Sequence, residues 1–405
     1  MTESGDRIVD TLDLAEDKRL SVISGADGLA AVPMTRDGDG SWRRAQPGDA
    51  VAQALLELLA EVPRSVTRGR FTVRSWTQHP AEGERSVGVD QTNESVIVGD
   101  AAVVKWATHL QDGPHPAPRR ISLLRDTGFV GVPTAWGVVT WQPALGAETL
   151  VASVDEYLPG AVDGWTWAVD LITEAARDRL PGPFVTAATD VGALVAELHA
   201  ALSGTATVAT QQDADRWRHA ALETLETVCA LGDCASVVVA RERGDEIAAI
   251  LDGLGGLAGT PIIEGHGDLH VGQVLRADDR FVVTDFDGNP VLPASQRMLP
   301  IPVALDVAGM VQSLAHAAIV ARRYTQFEGA ALGDVDEAGR VGFLDAYRWR
   351  IAELGHAHLY DPRPLLAFRV QQVLREIVYA ARHLPRWMYV PDAALPALLD
   401  EGTHK

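Results

Sequence analysis

An α+β fold, with a strand-rich part followed by a larger helical part, is what this 405-residue sequence predicts. Three observations carry that expectation: short apolar runs broken by Gly/Asp turns near the start, short alternating strands up to Trp141, and apolar residues at helical spacing from Val162 onward. A chain of this length exceeds what one hydrophobic core usually holds, so two or three packed subdomains are expected.

In chain order, Leu20-Ser-Val-Ile23 and Leu29-Ala-Ala-Val32 lead to the turn Asp37-Gly-Asp-Gly40, the signature of a small antiparallel sheet. A helix from about Asp49 to Glu61 follows, and residues 1–90 read as an N-terminal cap subdomain. Phe71–Trp76, toward the end of the cap, reads as a strand, and Ser95–Val98, Ala101–Lys105 and Val138–Trp141 do so within residues 91–160, which read as a strand-rich, nucleotide-binding lobe. Residues 161–405 form the helical lobe: Val191, Leu194, Val195, Leu198 and Leu202 recur at three- and four-residue steps, as does the pattern from Pro364 to His383. The glycines of Leu251–Gly259 mark a loop, and no internal repeat is present.

Composition narrows the partners. The formal charge of −20 repels nucleic acid and anionic lipid, which favours a small-molecule partner. No window reaches the eighteen or so unbroken apolar residues of a membrane span, and Met1–Asp10 carries Glu3, Asp6, Arg7 and Asp10 without an apolar stretch. A cytoplasmic protein is therefore expected; a monomer or weak dimer is the expectation for its assembly, which the sequence itself does not fix. Cys229 and Cys234 are too few for a disulfide framework or a four-thiolate zinc site.

The chemistry concentrates in Glu264-Gly-His-Gly-Asp-Leu-His-Val-Gly-Gln-Val-Leu-Arg276 and Phe281-Val-Val-Thr-Asp-Phe-Asp-Gly288. Transfer of a phosphoryl group to an alcohol needs a carboxylate beside the hydroxyl and oxygen ligands holding Mg²⁺ on a triphosphate. In protein kinases the base Asp precedes a metal-binding Asn by D-x-x-x-x-N, and Asp268 precedes Gln273 by the same interval. The Gln273 amide oxygen is an equally hard ligand. Val274–Arg276 and Phe281–Val283 read as a hairpin around Ala277-Asp-Asp-Arg280, expected to return the chain to Asp285 beside Gln273. Asp285 is then a second metal ligand, and Asp287 a candidate for a second Mg²⁺. Taken singly, these Asp and Gly residues are ordinary turn formers; three elements in order and at this spacing weigh against that. His266 and His270 have the spacing of a helical zinc pair, but Gly265, Gly267 and Gly272 argue against a helix and no Glu lies between them. His266 is better read as orienting the Asp268 loop.

His266-Gly-Asp268 with Gln273 and Asp285-Phe-Asp resembles the aminoglycoside phosphotransferase/choline kinase superfamily. His-Gly-Asp-x-His-x-Gly-Gln with Asp-Phe-acid-Gly-x-Pro is closer to actinobacterial maltokinases and their glucosamine-kinase relatives. The likeness extends through Asp155–Trp165, Asp306-Val-Ala-Gly-Met310 and Tyr379-Ala-Ala-Arg-His-Leu-Pro-Arg-Trp387, so it covers most of the chain. It implies a bilobal eukaryotic-protein-kinase-like fold with an N-terminal cap, ATP and Mg²⁺ as cofactors, Asp268 as base and a small sugar or amino sugar as acceptor. Gln91, Thr92, Asn93 and Ser95 would cover the phosphates. Lys105 would pair with the α/β-phosphates, or else be a solvated strand end. The backbone of Glu156 and Leu158, in a hinge near 155–158, would bind adenine. Arg119 stands about where maltokinases have the Glu that pairs with this Lys, which leaves the partner of Lys105 open.

On the acceptor side, Gln372, Arg375, Glu376, Tyr379 and His383 share one side of a helix, and Trp387 and Tyr389 follow. Hydroxyls want hydrogen bonds and a sugar ring can lie on an indole; a solvated helix face is the plain alternative. Asp306 either caps its own helix through Ala308 or Gly309 or joins Glu376 and Asp268 in an acidic subsite for a protonated amine. Asp287-Gly-Asn-Pro290 replaces the Glu-Gly-Glu-Pro usual in maltokinases and resembles the glucosamine-kinase group. The resemblance therefore ranks D-glucosamine, phosphorylated at its 6-hydroxyl, above maltose 1-phosphorylation and aminoglycoside modification. A non-catalytic nucleotide-binding regulator stays open because of Arg119.

Overall fold

The computed structural model describes residues 7–26, 28–76, 79–87, 94–110, 113–325 and 329–403. Gln91, Thr92 and Asn93, expected to cover phosphates, lie outside the described residues. The chain divides into two compact units, Met1–Ala161 with Asp285–Leu299, and Val162–Thr284 with Pro300–Lys405.

The first unit is built on two antiparallel sheets. Arg7–Ala15, Lys18–Gly25, Gly28–Arg36 and Trp42–Arg44 form a four-stranded meander. The second sheet runs, from edge to edge, Ser65–Arg68, Phe71–Ser75, Ala135–Trp141, Thr149–Glu156, Ala102–Trp106, Glu94–Val98 and Glu84–Ser86. Residues 1–90 thus supply the whole first sheet and three strands of the second. One continuous core joins both sheets, with Leu12, Leu20, Leu55, Leu59, Phe71, Val104, Val139 and Val154 all buried within it. Backbone bonds from Ala31 N to Ala107 O and from Leu110 N to Leu29 O, at 2.9 and 2.7 Å, tie the sheets together.

The helix Val51–Glu61 buries Val51, Leu55, Leu58 and Leu59 on one side, as its three- and four-residue spacing requires. Its first turn lacks a capping residue of its own, since Ala50 precedes it at φ +60°. The Glu84 carboxylate does that work from the second sheet, accepting from Gly48 N, Ala50 N and Gln53 N at 2.9–3.0 Å. Three otherwise orphaned N–H groups are satisfied by one charge.

The second unit is mainly helical. Its longest helices are Gly164–Asp178, Gly182–Ala201, Gln211–Cys229, Val303–Tyr324, Gly329–Glu353, Leu365–His383 and Tyr389–Thr403. Gly182–Ala201 and Val303–Tyr324 are long and apolar enough to cross a membrane, but 56% and 72% of their apolar windows are buried inside the structure. Val303–Tyr324 also buries Asp306, Gln312, Ser313 and His316, which a lipid-facing helix would not carry unpaired. The Leu251–Gly259 stretch, expected as loop, begins as the last turn of Gly244–Asp252 and continues as a short 3₁₀ turn, Gly253–Gly256. The expected hairpin is present as Val274–Ala277 paired with Arg280–Val283.

Candidate active site

In the second unit, the segment from Gly265 to Gln273 is held as an irregular loop by backbone bonds that its own side chains provide. The fully buried His266 ring has Nε2 3.0 Å from Thr284 O and Nδ1 3.4 Å from Asp268 N. A carbonyl can only accept, so Nε2 carries the proton and Nδ1 receives the Asp268 N–H. Gly267 at φ +83° supplies the left-handed turn that leaves Asp268 half-buried instead of interior. A 3₁₀ turn, Val271–Gln273, then leads into the hairpin, whose end is closed by Thr284 N donating to Gln273 O at 2.8 Å.

Two helices grip this loop from outside. Asp163 caps Gly164–Asp178, and a Cβ at Gly164 would stand 1.6 Å from Val271 O, so only glycine lets that helix end meet the loop backbone. Trp165, which sequence reasoning did not single out, lies over the His270 ring at 6.2 Å between centroids and meets Trp387 edge-on at 5.5 Å. On Val303–Tyr324, residues 306, 309 and 313 share one face. Gly309 allows contact with Leu269 O, where a Cβ would come to 2.2 Å, and Ser313 Oγ accepts from Val271 N at 2.8 Å.

Asp306 belongs to this cradle, which corrects its placement in an acceptor subsite. Its carboxylate is fully buried and accepts from His266 N and Gly267 N, both at 2.8 Å. A third donor, His199 Nε2, lies 3.3 Å away, and His199 Nδ1 is 2.9 Å from the Tyr347 hydroxyl. Burial alone would raise the Asp306 pKa, but its bond to His199, the nearby His266 and the Gly267 N–H hold it below the ordinary carboxylate value. Both oxygens are therefore spent on the loop. The sequence offered no sign of this, because His199 and Tyr347 stand 107 and 41 residues from Asp306.

Leu365–His383 turns Phe368, Val370, Val373, Leu374 and Ile377 inward and leaves Gln372, Arg375 and Glu376 half-buried along one side. Burial lowers the Arg375 pKa against the opposing pull of Asp268, so this stripe lies within electrostatic reach of the loop. Burial would raise the Glu376 pKa, but His316, a 3.0 Å bond from Gln372 and the more distant His270 carry it below the ordinary value. Tyr379 is 47% exposed beside His383, and Trp387 is half-buried.

In the first unit, Lys105 stands across from Ser95 on one side and Ser153 on the other. Its ammonium is 4.0 Å from Asp155, two residues along the same strand face as Ser153, which answers the question raised by Arg119. Burial disfavours the ammonium, yet Asp155, Asp285 and Asp287 outweigh it and raise the Lys105 pKa. Burial raises the Asp155 pKa as well, with Lys105 pulling it back and Asp287 adding to the rise. Arg119 is exposed, whereas the neighbouring Arg120 is buried and donates to Phe286 O and Arg297 O at 3.1 and 2.8 Å. The helix Ala117–Asp126 thus fastens the Asp285–Gly288 turn by its backbone. Asp285 takes φ +65°, and Asp287 is 3.9 Å from His115, whose pKa burial pushes down to about 4, so that contact is not an ion pair near neutrality. At the expected hinge, Glu156 N donates to Thr134 O at 2.8 Å, and Leu158 O accepts from Ala161 N. Among the described residues no three His, Cys, Asp or Glu side chains are gathered as a metal cage.

No protein-family profile matches the chain. It is 63% identical over 396 residues, 98% of this chain and 99% of the relative, to a glucosamine kinase of Mycolicibacterium smegmatis. A glucosamine kinase of Streptacidiphilus jiangxiensis is 44% identical over 400 residues, 96% of this chain and 90% of that protein. A solved glucosamine kinase in complex with glucosamine, ADP and inorganic phosphate superposes with a TM-score of 0.85 at 42% identity, covering 98% of this chain and 94% of that one. With its strand-rich and helical units and relatives matched over nearly their whole length, the chain belongs to the glucosamine kinase family.

Proposed function

We propose that this protein transfers the γ-phosphoryl group of ATP to the 6-hydroxyl of D-glucosamine. The observation that carries the reading is local to the second unit: the Asp268 loop is braced on two sides while the Gln372–Arg375–Glu376 stripe lies within its electrostatic reach. A carboxylate carried on a loop whose backbone is braced in this way can orient a hydroxyl and take its proton as the oxygen–phosphorus bond forms and the β–γ bridging bond breaks. The glucosamine and ADP of the solved relative support both substrates. Glu376 is the acid suited to the ammonium, since its lowered pKa keeps it charged at neutral pH. Gln372 and Trp387 are suited to the hydroxyls and ring.

Asp285 and Asp287 fit Mg²⁺: both are hard oxygen donors on one turn, and that ion prefers one or two carboxylates plus phosphate oxygens and water to an all-protein cage. When bound, the ion would neutralise charge on the phosphates. Lys105 is proposed to bind the α/β-phosphates, with Asp155 holding it in place of the kinase Glu. Asp155→Ala should then raise the KM for ATP about tenfold while changing kcat about threefold or less. An unchanged KM for ATP would remove Asp155 from that role.

The deciding experiment is an acceptor panel at equal concentration: glucosamine, glucose, maltose and several aminoglycosides, with ATP and Mg²⁺. Glucosamine should give the highest kcat/KM, and phosphate should appear on its 6-oxygen. A preference for maltose or an aminoglycoside would replace the acceptor, and no product with any of them would favour a nucleotide-binding regulator.

A further inference from the structure

The position of Glu376 is set by a buried chain of side chains whose polarity can be read from one end. Arg369 is 7% exposed and can only donate. Its Nε lies 3.0 Å from Gln312 Oε1, which fixes which end of that buried amide is oxygen. Gln312 Nε2 therefore donates to His316 Nε2, 2.9 Å away. That ring nitrogen must present its lone pair, so the imidazole proton sits on Nδ1, which is 3.1 Å from Glu376 Oε2. The approach is oblique: among the described residues neither His316 Nδ1 nor Glu376 Oε2, both shielded from water, has an aligned hydrogen bond, whereas Glu376 Oε1 is held by Gln372. The far end of the chain is anchored as well, because Arg369 also donates to Glu401 at 2.9 Å.

We infer that His316 is a specificity-positioning residue: its Nδ1–H faces the buried Oε2 and fixes the rotation of the Glu376 carboxylate, so that the remaining accepting capacity of Oε1, beside Gln372, is turned to the ammonium of the acceptor. This rests on the proposed pairing of Glu376 with the amine. Without that N–H, a buried oxygen would lose the donor that faces it, and the carboxylate would rotate or take up a proton. A neutral sugar has no cation to place there, so the effect falls on amino-sugar recognition and not on phosphoryl transfer.

The test separates the two ring nitrogens in the full-length enzyme. His316→Asn places an amide near Nδ1 and should keep the KM for glucosamine within about threefold of the parent. His316→Gln reaches toward Nε2 instead and should raise that KM about tenfold, with kcat and the KM for ATP nearly unchanged. Equal KM values in the two variants, or a fall in kcat without a change in KM, would overturn the inference. Glu376→Gln is measured alongside with glucosamine and glucose. If it leaves the preference for glucosamine intact, the amine pairing itself fails; if it abolishes the preference while Asn and Gln at 316 behave alike, only the role of His316 fails. Thermal midpoints of all variants identify any that are misfolded.

Discussion

Asp268→Asn is expected to lower kcat about a thousandfold while shifting the KM for ATP less than about threefold. The substitution keeps shape and loop geometry, because the contacts that brace the loop run through backbone atoms: Asp268 N to His266, Gly267 N to Asp306 and Val271 N to Ser313. What it removes is a negative charge that orients the acceptor hydroxyl and receives its proton. General-base contributions usually span about 10²–10⁴, and a loose transition state, in which the hydroxyl is deprotonated late, would favour the lower part of that range. Two further losses add to it. An amide can present its NH₂ to the hydroxyl and misorient it, and Arg375 loses the charge that opposes its desolvation. Single-turnover measurements with glucosamine would isolate the chemical step. A loss below about tenfold would mean that Asp268 is not the base.

Much of this arrangement was legible in the chain, and the boundary of legibility has a physical cause. The hairpin after Gln273 and the helix bearing Gln372, Arg375 and Glu376 follow from local periodicity, which depends on neighbours a few residues away. The loop's brace was not legible. Asp306 begins a helix at a position where a cap is the ordinary reading, and only the folded chain brings His266 N and Gly267 N to its oxygens. Lys105 and Asp155 illustrate the same limit: the pairing register that puts Ser153 opposite Lys105 is what makes Asp155 the diagonal partner. Arg120 was passed over for Arg119, one residue away, because the helix phase that separates a buried from an exposed arginine depends on packing.

Asp306→Asn should destabilise the protein by about 3 kcal/mol and lower kcat by about ten- to a hundredfold, although this side chain does not meet substrate. Three N–H groups converge on two carboxylate oxygens: those of His266, Gly267 and His199. An amide has one oxygen, and its NH₂ must then face at least one donor. The imidazole can adapt. Burial holds the Tyr347 pKa well above the ordinary phenol value, so its hydroxyl is a donor to His199 Nδ1 in the parent, but it can accept if the ring proton moves to that side. The backbone N–H of Gly267 has no such freedom, and the strain falls on the residue before Asp268. The pH dependence distinguishes this account from simple loss of packing. Because the folded Asp306 pKa lies below its unfolded value, the carboxylate contributes stability that is fully present above the ordinary carboxylate range and is lost as pH falls through the folded pKa. The parent should therefore lose more stability on acidification than Asp306→Asn, and the two unfolding midpoints should approach each other at low pH. Midpoints that stay a constant distance apart from neutral pH into acid would show that the charge of Asp306 does not support the loop.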